Sequence, residues 1–155
     1  MLFRKKATDI LNGAATVLNF ATNRKKIDVL TRLKNVYALK KEFAKSDAKY
    51  VLALINLDRF SGVNAAYGIE IGDALLCEFC NIIKKNLPKH GKFYRYHGDE
   101  FIILLKGGKV HHLAEMLTQI ESYLMLAPIQ VGGFDIRVSF SSGISVGSGE
   151  ILIKE

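Results

Sequence analysis

The sequence predicts an α+β domain with a central, mainly antiparallel sheet flanked by helices, and three observations carry that prediction. Tyr50-Val51-Leu52-Ala53-Leu54-Ile55-Asn56-Leu57 is a continuous apolar run of strand length, the pattern of a central strand buried on both faces. Phe93 to Tyr96 and Ile102 to Leu105 are β-prone runs on either side of a polar tip containing Gly98, which reads as a β-hairpin. Apolar residues recur at helical spacing between these strands and after them, so helices connect and cover the sheet.

At 155 residues, 49% apolar and 24% charged, the chain has enough length for one globular domain with a real core. No run is long and apolar enough to span a bilayer, so no membrane insertion is expected. The start, Met1-Leu2-Phe3-Arg4-Lys5-Lys6, has the charge of a signal peptide, but Asp9, Asn12 and Asn19 interrupt the apolar stretch that should follow. A cytoplasmic location is therefore expected.

Taken in order, residues 7–23 carry Ile10, Leu11, Ala14, Val17, Leu18 and Ala21 at helical spacing, and residues 1–27 are expected to form a connecting helix or linker. Asp28 to Asn35 reads as the start of a helix capped by Thr31, with Leu30, Leu33, Val36, Leu39 and Phe43 facing inward. Asn56 and Asp58 close the central strand, and capping of the next helix is the local explanation for Asp58. Asp73, after Gly72, is a natural N-cap for the amphipathic helix of Leu75, Leu76, Phe79, Ile82, Ile83 and Leu87, which ends at Pro88.

After the hairpin, Val110, Leu113, Met116, Leu117, Ile120 and Leu124 pattern another amphipathic helix that serves the core. Ile129 to Val131, the Gly132-Gly133 turn and Phe134 to Phe140 predict a second hairpin, and Ser142 to Gly147 a final strand.

Cys77 and Cys80 lie within a helix beside Leu76, Phe79 and Ile83, so they read as buried small hydrophobes and not as a redox pair. His90, His97, His111 and His112 lack paired spacing with these thiols, and no zinc is expected. The net charge of +7 is spread over separate clusters, among them Arg24-Lys25-Lys26, Lys40-Lys41 and Lys84-Lys85. Scattered clusters without an interleaved aromatic pattern are solvated faces, so no nucleic-acid partner is expected.

The hairpin tip carries the chemistry. Asp99 and Glu100 sit where a turn uses acids to accept backbone hydrogen bonds, and equally where two carboxylates present hard oxygen ligands to Mg²⁺ and an approaching phosphate. His97 beside them is either a solvent-facing turn residue, given that His tolerates positive φ, or a side chain filling space that a ligand would use.

Arg95-Tyr96-His97-Gly98-Asp99-Glu100-Phe101 resembles the R-x-G-G-[DE]-E-F signature of the GGDEF family, whose members condense two GTP molecules into cyclic di-GMP, with His97 in place of the first glycine. Asp28 to Asn35 is similar to that family's D-x-L-T-G-L-x-N-R, with Arg32 at the glycine and Val36 at the arginine. Asn56-Leu57-Asp58-Arg59-Phe60-Ser61-Gly62-Val63-Asn64-Ala65 lies on D-x-D-x-F-K-x-x-N-D, and Tyr67 to Leu76 on Y-G-H-x-x-G-D-x-x-L. Ser142 to Gly147 is similar to T-x-S-x-G. The resemblance implies a nucleotide-cyclase or polymerase-palm type of fold from residue 28 to 155.

It also implies roles. Asp99 and Glu100 would bind metal and help activate the attacking 3′-hydroxyl, with Asn56 and the Leu57 backbone completing the metal set. Asn64 and Asp73 would bond the guanine edge, and Phe60, His97 and Gly98 would lie around the nucleotide. Asn56, however, replaces a metal-binding aspartate, Ser61 a phosphate-binding lysine and Ala65 an aspartate. An amide oxygen ligates Mg²⁺ without adding charge, so Mg²⁺ binding should be weak or absent while GTP or a related guanine nucleotide remains the expected ligand.

Because phosphoryl transfer is catalysed almost entirely by alignment and charge stabilisation, these losses should reduce rate far more than affinity. The expectation is a degenerate GGDEF domain acting as a regulatory module, the alternative a working diguanylate cyclase of two GTP-loaded copies face to face. The resemblance further implies a homodimer through the connecting helix and a neighbouring sensor or cyclic di-GMP phosphodiesterase domain. Pro88 and Gly91 stand at the charged positions of the family's R-x-x-D feedback motif, so product feedback is not expected. A further helix of the pattern A-D-x-A-L-Y-x-A-K, whose lysine contacts phosphate, is absent from the sequence, and the domain is expected to lack that ligand too.

Overall fold

A computed structural model describes residues 26–44 and 48–148, and the connecting helix expected over 7–23 lies outside them. The strands β1 (Lys34–Asn35), β2 (Lys49–Leu57), β3 (Gly91–His97), β4 (Glu100–Lys106) and β7 (Phe140–Ser148) form a five-stranded sheet of order β1-β3-β4-β2-β7. All of its pairings are antiparallel except β1 with β3. A separate two-stranded sheet pairs β5 (Ile129–Val131) with β6 (Phe134–Ile136). The α+β class and the mainly antiparallel sheet are as the sequence predicts.

Strand β2 runs between β4 and β7, and its side chains alternate between two cores. Val51, Ala53, Ile55 and Leu57 pack under α3 (Ile69–Asn86) and α4 (Val110–Leu126) with Leu75, Phe79, Leu117 and Ile120. Tyr50, Leu52 and Leu54 face the opposite way, against Leu39 and Phe43 of α1 (Val36–Phe43) and Tyr94 and Ile102 of the hairpin. Burial on both faces is why the run shows no polar alternation.

Three local expectations are corrected. Residues 28–33 form a turn and not a helix start: Thr31 donates to Asp28 Oδ1 from its N–H at 2.8 Å and its hydroxyl at 2.7 Å. Helix α1 begins later, where the Asn35 side chain accepts from the N–H groups of Tyr37 and Ala38. Asp73 is not an N-cap, because α3 starts at Ile69 from an elbow at Gly68 (φ 88°) and Asp73 lies inside the helix. The run Phe134 to Phe140 is not one hairpin strand: β6 stops at Ile136, and Phe140 opens β7 beside β2.

Candidate functional site

The C-terminal end of β2, the β3–β4 tip and the paired helices α2 (Phe60–Tyr67) and α3 meet at one end of the sheet. In the β2–β4 register Asn56 lies opposite Glu100, and in the β2–β7 register opposite Ser141, so the three share one face of the sheet at neighbouring positions. The Leu57 N–H donates to the Asp99 carbonyl at 3.2 Å, which ties the hairpin tip to the strand end. The structure thus brings Asn56, Leu57, Asp99 and Glu100 together at one end of the sheet.

The tip is made by a two-residue turn, Gly98-Asp99, with a register shift between Arg95 and His97. Gly98 has φ 54°, and a Cβ there would meet open space, so the glycine is required by conformation and not by crowding. His97 is the exposed last residue of β3 and pairs with Glu100; the positive φ that would suit a turn histidine belongs to Gly98 instead.

Arg95 fastens the tip from behind. Its Nε donates to the Gly98 carbonyl at 2.8 Å and its Nη1 to Asp28 Oδ1 at 3.0 Å. Partial burial disfavours charge on Asp28, but hydrogen bonds from Thr31 and the Arg95 guanidinium outweigh it and hold its carboxyl below the usual carboxylate range.

Asp58 does not cap α2. The N-cap position falls to Arg59, in the left-handed region at φ 54°, whose side chain makes no capping hydrogen bond. Both Asp58 oxygens instead accept hydroxyls from the far end of the chain, Oδ2 from Ser139 and Oδ1 from Ser141, each at 2.7 Å, while its N–H donates to the Ser139 carbonyl. Sequence reasoning misses Ser139 and Ser141, because nothing in their local sequence marks them as partners of a distant carboxylate. Asn56, Asp58, Arg59, Arg137, Ser139 and Ser141 contribute to the lining of an open crevice of about 780 Å³, a size that accommodates small-molecule ligands.

Phe60 and Asn64 lie on α2, and Asp73 on α3 across the Gly68 elbow. The Asn64 Oδ1 is buried, with no hydrogen-bond partner among the described residues. Among the described residues no group of three His, Cys, Asp or Glu side chains converges as a metal cluster. The oxygen donors at the sheet end are a carboxylate pair, an amide and a backbone carbonyl, the hard type that Mg²⁺ takes when phosphates supply the rest. Cys80 is buried, which pushes its thiol up to about 12 and leaves it inert at neutral pH.

A family model described as diguanylate cyclase, GGDEF domain, matches residues 25–151. The probable diguanylate cyclase DgcI of Escherichia coli is 33% identical over 89 residues, covering 57% of this chain and 19% of that protein. The bifunctional diguanylate cyclase/cyclic di-GMP phosphodiesterase MucR of Pseudomonas aeruginosa is 29% identical over 106 residues, covering 68% of this chain and 15% of that protein. The chain therefore spans less than a fifth of the length of either relative. Among solved structures, the diguanylate cyclase SiaD in complex with its activator SiaC, from Pseudomonas aeruginosa, aligns with a TM-score of 0.71 at 25% identity, covering 78% of this chain and 49% of that chain. No helix among the described residues is long and apolar enough to cross a membrane. With the hairpin signature at the end of a matching sheet and a family model covering residues 25–151, the chain belongs to the diguanylate cyclase GGDEF-domain family.

Proposed function

We propose that this chain is a degenerate GGDEF domain, a guanine-nucleotide-binding regulatory module of bacterial cyclic di-GMP signalling in which synthesis is impaired or absent. The observation that carries the reading is the pairing of Asn56 with Glu100 at the sheet end. At the position where the family carries a metal-binding aspartate, this chain offers a neutral amide. One Mg²⁺ brought in on the nucleotide phosphates suits Asp99, Glu100, the Asn56 amide oxygen and the Leu57 carbonyl; a second ion lacks the opposing carboxylate that would balance its charge. Ser61 in place of the lysine removes a cation from the phosphates as well.

Asn64 and Asp73 are retained on the two helices of the elbow, which supports binding of a guanine base even where turnover fails. In this reading residues 1–27 connect the domain of residues 28–155 to a neighbouring sensor or phosphodiesterase domain, and two copies pair through that segment. The module works in the cytoplasm, where GTP is found, and transmits binding by shifting its neighbour's conformational equilibrium.

A working diguanylate cyclase is the second reading, favoured by the retained acidic pair Asp99-Glu100. Incubation with GTP and Mg²⁺ or Mn²⁺, followed by chromatography, separates the two. Calorimetric GTP binding with little or no cyclic di-GMP supports the regulatory module; sustained accumulation of cyclic di-GMP establishes the cyclase instead.

A further inference from the structure

The elbow between α2 and α3 contains a fit that its sequence pattern does not explain. Gly68 N–H donates to the Asn64 carbonyl at 3.0 Å, and Gly72 N–H donates to the Gly68 carbonyl at 3.1 Å, so backbone hydrogen bonds link Asn64, Gly68 and Gly72 through the bend. Gly72 is buried within α3. A Cβ on Gly72 would stand 1.8 Å from Asn64 Oδ1, 3.0 Å from its Cγ and 3.3 Å from Phe60 Cζ. The Asn64 amide therefore occupies the volume that any other residue at position 72 would fill.

Helix propensity argues against glycine here, since Ala is ordinarily the better helix former. Some other requirement keeps the position empty, and the Asn64 side chain meets it. A second observation concerns the same atom: among the described residues Asn64 Oδ1 is buried and has no donor. Buried acceptors left without a partner are rare in folded proteins and concentrate where a group is held for a purpose beyond folding.

We infer that Gly72 is the positioning residue for nucleotide recognition: by lacking a side chain it seats the Asn64 amide at the elbow, oxygen inward, with the amide NH2 left as the donor offered to a base. Asp73, the next residue along α3, supplies an acceptor. A donor and an acceptor from one elbow match a purine edge that carries both an acceptor and N–H groups, as guanine's does. This rests on the nucleotide-binding reading above and adds to it the residue that fixes the geometry.

The test is a thermodynamic cycle of Gly72→Ala, Asn64→Ala and the double variant in the full chain, with melting temperature and calorimetric GTP affinity read in parallel. Gly72→Ala alone should lower the melting temperature and weaken GTP binding at least tenfold, about the loss expected for Asn64→Ala. The double variant should recover the melting temperature, because the methyl now has room, without recovering binding. If Gly72→Ala fails to fold, recovery of the fold in the double variant supports the same conclusion. GTP affinity in Gly72→Ala equal to wild type, or a thermal loss that Asn64→Ala does not relieve, overturns it. A wild-type chain that binds no GTP counts against the nucleotide reading; the seat is then decided by the thermal cycle alone, where relief supports it and no relief overturns it.

Discussion

Arg95 and Asp28, 67 residues apart in sequence, are joined at 3.0 Å between Nη1 and Oδ1. The pair is partly buried, at 15% and 21% side-chain exposure, so water screens it less than an ordinary surface ion pair. Because Arg95 also holds the Gly98 carbonyl, one guanidinium links the turn of residues 28–33 to the hairpin tip.

Asp28→Ala should destabilise the domain by about 1–3 kcal/mol, since it removes the acceptor for Thr31 and Arg95 together. Arg95→Ala should cost less, because the Thr31 bonds to Asp28 survive it. Urea denaturation of the two variants beside wild type measures the order.

The same carboxylate sets a pH dependence. Its folded pKa lies below the unfolded value, so its contribution is fully present above the unfolded pKa, near 4, and disappears as pH falls through the lower folded value. The gap in urea midpoint between wild type and Asp28→Asn should be wide at pH 7 and narrow as the pH is taken down past the unfolded value and through the lower folded one. A gap that is unchanged over that range would show that the charge on Asp28 is immaterial.

Ser141→Ala and Ser139→Ala each remove one hydroxyl from Asp58, but from different surroundings. The Ser141 bond is partly buried and should be worth about 1–2 kcal/mol; the exposed Ser139 bond competes with water and should be worth under about 1 kcal/mol. Denaturant midpoints of the two variants check the difference.

Asn56→Asp would place a carboxylate directly opposite Glu100 on the neighbouring strand. Like charges across a strand pair are destabilising, by about 0.2–1 kcal/mol, until a cation sits between them. The melting temperature of Asn56→Asp should therefore fall in chelator and recover in Mg²⁺, with wild type showing a smaller response. Combined with Ser61→Lys, the substitution should raise Mg²⁺-dependent GTP affinity in calorimetry.

What the sequence made legible is what depends on near neighbours. The apolar run of β2, the hairpin around Gly98 and the amphipathic period of α4 each contain their own signal, and the family's motifs are enough to draw Asn56, Asp99 and Glu100 to the same end of the sheet. The misplaced features turn on partners that the local pattern does not reveal. Thr31 looks like a helix cap, and what decides against it is the pairing of Lys34-Asn35 with Tyr94-Arg95, which delays the helix to Val36. Asp58 looks like a cap too, until hydroxyls 81 and 83 residues away claim both its oxygens. Asp73 follows a glycine, the usual prelude to a helix, but Gly72 is needed for the Asn64 amide and the helix has already begun at Ile69.

Arg32 offers a last test, because it stands where the related segments carry glycine. Its backbone is left-handed at φ 57°, and its N–H donates to the Asp28 carbonyl at 3.0 Å to close the turn. A residue with a Cβ pays about 1–2 kcal/mol in that conformation, while glycine adopts it freely but loses more chain entropy on folding. The first effect is the larger, so Arg32→Gly should stabilise the domain by about 0.5–1 kcal/mol, which raises the melting temperature by a few degrees. Arg32→Val, branched at Cβ and poorly suited to positive φ, should move it in the opposite direction. Equal melting temperatures for the three chains would mean that the turn relaxes away from the left-handed region in solution, and with it the geometry that presents Asp28 to Arg95.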